Sequence, residues 1–307
     1  MAPTVIVLSR RLGAVLPAEA LPALRAATGV YADPSVPGEI ASAAGAEPVP
    51  GAGPAGLPAD AVLLTCQPTD GAVATPEPEG AALLDAVAVM DRLRSPGGCP
   101  WDAEQTHETL LQYLVEECYE LYQAIEDGDR ADMREELGDV LLQVLFHARV
   151  AQEAAEGAFD IDAVADGLVA KLVGRHPHVF AGSERVETVT AQEGRWEELK
   201  RAEKQRSSAV DGVPLGQPAV ALAAKLVSRT ARAGLPADLL PLGSGVGEEL
   251  FRRVAEAKLS GADPEAELRT AARAFADRVR AAERSAAAEG ADPHALDPDT
   301  WRRAWPA

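Results

Sequence analysis

The chain has 307 residues, 47% of them hydrophobic, enough to fill two domain cores and a smaller third. A formal charge of -19 excludes recognition of nucleic acid through a broad basic face, so a phosphate-bearing ligand must be drawn in by a metal or by a few local cations. Three widely spaced cysteines, Cys66, Cys99 and Cys118, exclude both a disulfide framework and a zinc signature.

No run of eighteen apolar residues occurs, and the apolar stretch of the N-terminus precedes its arginines, the reverse of a signal peptide. These features predict a cytoplasmic protein with no membrane span. Residues 4–8 (TVIVL) and 61–66 (AVLLTC) read as buried strands, and 18–28 as a short helix despite Pro22. Residues 33–60 and 67–80 are rich in Pro, Gly and Ala and read as a loop and a linker. The first 80 residues form a small α/β region with no phosphate-binding glycine pattern.

From residue 81 the pattern becomes helical. Residues 81–94 place Leu83, Leu84, Val87, Met90 and Leu93 at helical spacing, which predicts that they face inward. The segment SPGGCPWDAEQTHETL then fixes a loop before a helix beginning near Thr106. Two acidic triplets follow, Glu116-Glu117-x-x-Glu120 and Glu135-Glu136-x-x-Asp139, separated by Glu126-Asp127-Gly128-Asp129. Positions i, i+1 and i+4 project from one side of a helix, and Gly followed by Asp favours a helix stop and a new cap. Gly128 therefore marks a hairpin, with the Glu117/Glu120 and Glu136/Asp139 pairs at one level, each about 14 Å from the turn.

No Lys or Arg stands three or four residues from any of the six acids, so helix-surface ion pairs do not neutralise them. A hard divalent cation is the natural partner of oxygen-only ligands; a solvated acidic face is the alternative. The second hairpin helix is expected to run to about residue 155. Residues 161–174 form a further helix with Ile161, Val164, Leu168 and Leu172 inward, ended by Pro177. Lys171 and Arg175 share a face of it, as Trp196 and Lys200 do further on; such pairs suit phosphate binding and stacking on a base. His176 and His178 flank the helix-ending Pro177 and are expected to cap or pack rather than ligate.

After a polar junction at 201–216, residues 217–307 repeat the pattern in degraded form. Arg252 stands where the first copy has Glu120, and Thr270 where it has Asp139. Trp301 to Trp305 similarly echoes the segment from Trp196 to Lys200.

GGCPWDAEQTHETL at 97–110, EExxE at 116–120, EELGD at 135–139, FHA at 146–148, KLVGRHPHVF at 171–180 and WEELK at 196–200 together resemble a MazG-type nucleoside triphosphate pyrophosphohydrolase of the all-α superfamily. The resemblance covers 81–206 by motif and 207–307 by repeat organisation, leaving 1–80 outside it. It implies a catalytic helical bundle at 81–206 and a degenerate second repeat at 207–307, which with the small α/β region read from residues 1–80 makes a mainly α protein. It also implies a homodimer that binds Mg2+, with Mn2+ as a substitute, through Glu117, Glu120, Glu136 and Asp139. The substrates would be NTPs or dNTPs, split between the α and β phosphates in nucleotide-pool house-cleaning.

In that scheme Glu116 is the candidate general base, Lys171, Arg175 and Lys200 hold phosphates, and Trp196 stacks on base or ribose. Two rival readings are a non-catalytic helical scaffold and a di-iron carboxylate bundle. The di-iron site needs Glu-x-x-His on two helices, and Glu104 to His107 is the one such match near the hairpin.

Overall fold

The structure is a computed structural model describing residues 3–13, 15–51, 54–182, 207–241 and 243–306. By internal contacts the chain divides into residues 1–176 and 177–307.

The first unit begins with a five-stranded parallel sheet in the order β3-β2-β4-β1-β5: β1 Thr4–Val7, β2 Val30–Ala32, β3 Glu47–Pro48, β4 Val62–Thr65 and β5 Val73–Ala74. β4 is buried at every position, as a central parallel strand should be. Ile6, Leu8, Val62 and Leu64 pack on one face with Leu24 of α1 (Leu21–Ala26) and Ile40 of α2 (Gly38–Ala43). Leu63, Val5 and Tyr31 pack on the other face with Leu57.

The presumed loop at 33–60 thus contains α2 and β3, and the presumed linker at 67–80 contains β5, fixed by Thr75 N donating to Val7 O at 2.8 Å. The two strands of two residues and the six-residue helix are too short to show a period, so composition concealed them.

The helical part follows: α3 Ala82–Arg94, α4 Pro100–Glu104, α5 His107–Asp127, α6 Arg130–Gln152 and α7 Ile161–Arg175. Its core is Met90, Leu110, Leu145 and Phe146, with Val87, Tyr113, Leu141 and Ile161 against it. Leu83 and Leu84 do not face inward: they are 53% and 45% exposed, as are Val164, Leu168 and Leu172 at 37%, 48% and 40%. Helical periodicity found these apolar faces correctly, but within the described chain no element covers them.

The GGCPWD loop is locked by Arg94, whose side chain is 4% exposed. Its guanidinium donates to Asp102 O and Gln105 O, pairs with Glu153 at 2.7 Å and lies 5.5 Å from the Phe146 ring centroid. Gly98 has to be glycine here, because a Cβ would sit 2.2 Å from Leu93 O.

The second unit contains α8 Pro177–Phe180, α9 Ala219–Arg232, α10 Val246–Leu259, α11 Pro264–Ala288 and α12 Pro298–Ala304. α10 packs chiefly on α9 through Ala223, Ala224, Phe251 and Val254. α11 packs chiefly on α12 through Ala282, Ala286, Trp301 and Ala304. Among the described residues no helix is long and apolar enough to cross a membrane. The chain is mainly α with a small N-terminal α/β region.

Candidate functional site

The hairpin that carries the acids is set by local chemistry at both ends. Thr106 caps α5 by accepting from Thr109 N, and Thr109 Oγ1 reciprocates on Thr106 N at 2.9 Å. α5 stops at Gly128, which takes φ 70°, a left-handed conformation that costs glycine little. Asp129 then caps α6 by accepting from Ala131 N at 2.8 Å and Asp132 N at 3.2 Å. A turn of two residues leaves the helices antiparallel and packed together along their length, so acids equidistant from Gly128 meet.

Glu117, Glu136 and Asp139 each bring a carboxylate oxygen within 4.8 Å of the other two. Glu120, the fourth expected ligand, is not in this group. It is exposed and lines an adjoining cavity of about 490 Å³ with Glu116, Tyr119, Gln123, Asp132 and Glu136. Glu120 still acts on the cluster electrostatically. Burial, followed by Asp139, Glu120, Glu136 and Glu116, holds the Glu117 carboxyl above its ordinary range. Burial, followed by Glu120, Asp139, Glu135 and Asp132, does the same for Glu136.

Among the described residues, none of Glu116, Glu117, Glu120, Glu136 and Asp139 has a Lys or Arg partner. Glu136 Oε2 is buried with no hydrogen-bond partner among them. An oxygen-only donor set, crowded by like charge and holding one orphaned buried oxygen, fits a hard divalent cation.

Lys171 is exposed on α7 and Arg175 is buried one turn later; neither is bonded to an acid of the cluster. Trp196 and Lys200 lie outside the described residues. His176 caps α7, its Nδ1 bonding Leu172 O at 2.7 Å. Glu104 ends α4 and His107 begins α5, so the Glu-x-x-His match does not lie on one helix and the di-iron pattern is absent there.

Three features of the hairpin were given no role alongside the acids in the sequence. Asp132, in the first turn of α6, adds a further negative charge on Glu136. Gln143 is 3% exposed and its Oε1 has no partner among the described residues, a loss of about 1–3 kcal/mol for a buried amide. His107 and His147 approach Nδ1 to Nδ1 at 2.8 Å. The signal for Gln143 and His147 was their spacing from Glu136 along one side of α6, which attention to the carboxylates alone passed over.

Two family profiles match the chain. The MazG nucleotide pyrophosphohydrolase domain covers residues 105–180, and the MazG N-terminal domain covers residues 3–84, which assigns the segment that the motifs left unplaced. The chain is 46% identical over 254 residues to a nucleoside triphosphate pyrophosphohydrolase of Mycolicibacterium smegmatis, spanning 77% of this chain and 74% of that protein. It is 55% identical over 205 residues to an uncharacterised 26.1 kDa protein of Streptomyces cacaoi, spanning 66% and 84%. It is 36% identical over 249 residues to a nucleoside triphosphate pyrophosphohydrolase of Escherichia coli K12, spanning 71% and 94%. With a carboxylate-bearing helical hairpin, both domain profiles and relatives of this kind, the chain belongs to the MazG family of nucleotide pyrophosphohydrolases.

Proposed function

We propose that the protein hydrolyses nucleoside triphosphates, NTPs or dNTPs, at the α–β phosphoanhydride to a nucleoside monophosphate and pyrophosphate, with Mg2+ as cofactor and Mn2+ as a substitute. The observation that supports this best is the convergence of Glu117, Glu136 and Asp139 within 4.8 Å, with a buried, unpartnered oxygen on Glu136. Mycolicibacterium and Escherichia relatives named nucleoside triphosphate pyrophosphohydrolases favour the same chemistry.

Glu117, Glu136 and Asp139 would hold the cation, and Glu120, exposed beside them, would complete the set by a rotamer change. When bound, the cation supplies positive charge for the triphosphate oxygens and acidifies water. Glu116 lines the adjoining cavity and would accept a proton from the attacking water. Lys171 offers a mobile ammonium and Arg175 a planar guanidinium to phosphate oxygens; Lys200 and Trp196 would add a further charge and a stacking surface. The uncovered apolar residues of α7, Leu168, Val169, Leu172 and Val173, are suited to burial by a second copy in a homodimer. House-cleaning of a cytoplasmic nucleotide pool is the role this activity would serve.

A panel of NTPs and dNTPs turned over with Mg2+, with products separated by ion exchange, tests the reading. Monophosphate plus pyrophosphate is expected, and chelation should stop turnover. Nucleoside diphosphate plus phosphate would refute cleavage at the α–β bond.

A further inference from the structure

One line along α6 is more polar than a helix seam ordinarily tolerates. At 100° per residue, Gln143 and His147 lie about 20° to either side of Glu136, so the three share a stripe over a rise of about 16 Å. α5 and α6 pack closely along their length, and the positions between paired helices are normally apolar. Here Glu136 Oε2, Gln143 Oε1 and His147 Nε2 are all buried without a hydrogen-bond partner among the described residues. Gln143 is only 3% exposed. At the far end the rings of His107 and His147 stack, with centroids 5.1 Å apart and planes 10° apart, and His107 is exposed.

Neither the fold nor the acid cluster accounts for Gln143 and the histidines. A leucine at 143 would serve the seam better, because a buried carbonyl without a donor is a loss an apolar side chain avoids. The row also has a direction: Gln143 is one turn and His147 two turns from Asp139, about 6 Å and 12 Å along α6. A triphosphate anchored at the acids has a sugar and base to place over such a span. A carboxamide can accept from a hydroxyl or amino group and also donate, as glutamine does on a base edge, and flat imidazoles suit a base's face or edge.

We infer that Gln143 and the His107/His147 pair read the nucleoside half of the ligand, Gln143 accepting a hydrogen bond from a hydroxyl or amino group of the sugar or base. The identity of that ligand rests on the pyrophosphohydrolase reading above.

The test compares two ligands on the full chain with Mg2+ present: a nucleoside monophosphate, measured by calorimetry, and inorganic tripolyphosphate, which has phosphates and no nucleoside. Gln143→Leu should weaken the monophosphate at least tenfold, change tripolyphosphate less than twofold and keep or raise the melting temperature. Equal weakening of both ligands, unchanged monophosphate binding, or a wild type that binds no monophosphate overturns the inference. Should Gln143→Leu fail to fold, His147→Phe, which keeps a flat ring, is held to the same criteria. A wild type that binds monophosphate in a Gln143-dependent way and splits no triphosphate supports this inference while removing the hydrolase reading.

Discussion

The two helical hairpins of the chain share a plan and differ in what lies between their helices. In α5 and α6 the helices lie side by side, and the space between them holds Glu117, Glu136 and Asp139. In α10 and α11 each helix packs chiefly on another neighbour, and a mainly apolar groove of about 680 Å³ is lined by Leu250, Phe251, Val254 and Leu268. The residues in the ligand positions of this second hairpin bond to nearby backbone carbonyls, although Arg252 Nε is buried with no hydrogen-bond partner among the described residues. Arg252 donates to Gly243 O at 3.0 Å, and Thr270 Oγ1 donates to Ala266 O of its own helix at 2.9 Å. Both hairpins retain Asp caps, Asp129 and Asp263, after a positive-φ glycine, Gly128 and Gly261. Turn chemistry therefore suffices to make the hairpin, and the converging carboxylates are an addition with a separate purpose.

The sharpest way to break this comparison is to remove one acid. Glu117→Gln, Glu136→Gln or Asp139→Asn should lower Mg2+-dependent turnover on the order of a thousandfold, as losing a principal charge-stabilising group does. The same variants should melt at a higher temperature than the wild type in chelator, since they relieve like-charge repulsion. Retained turnover would place the metal elsewhere. Restoring the missing acids in the second hairpin, by Arg252→Glu with Thr270→Asp, should not rescue an Asp139→Asn chain, because that hairpin does not bring its helices together as the first does. Substantial rescue would show that the acids alone make the site.

A smaller effect is set by pH. Glu117 and Glu136 are held above the ordinary carboxylate range, so between that range and their raised values the folded protein keeps protons that the unfolded chain has released. Stability of the metal-free protein should therefore fall as pH rises through this window. A bound cation favours the ionised acids, so the rise in melting temperature produced by Mg2+ should be larger at pH 8 than at pH 5. An equal rise at both would detach the metal from these carboxylates. The smallest effect is at the caps: Asp129→Ala and Asp263→Ala should each cost about 1 kcal/mol, measurable by denaturant titration. A much larger loss at Asp129 would mean that the first hairpin depends on its turn in a way the second does not.

The first hairpin was legible because its signals are local: Gly128 and Asp129 name the turn, and the acids are counted from it. Three of the four expected ligands converge; Glu120 is exposed outside that group, and a side-chain direction at an exposed position leaves no trace in residue order. The five-stranded sheet was half legible. β1 and β4 are four-residue apolar runs, whereas β2, β3 and β5 depend on pairing with them and have no pattern of their own. For Leu83, Leu168 and Leu172, periodicity marked an apolar face but could not say whether the covering element belongs to this unit.

Arg94 has a consequence for how the folded chain opens locally. Its guanidinium joins the end of α3 to the carbonyls of Asp102 and Gln105 and to Glu153, 59 residues further along. The loop carbonyls and the C-cap of α6 therefore share one guanidinium, and each loses a tether if the other opens. α3, the loop and the far end of α6 should consequently exchange their amide protons as one cooperative block, with the loop far more protected than its glycines and proline would suggest.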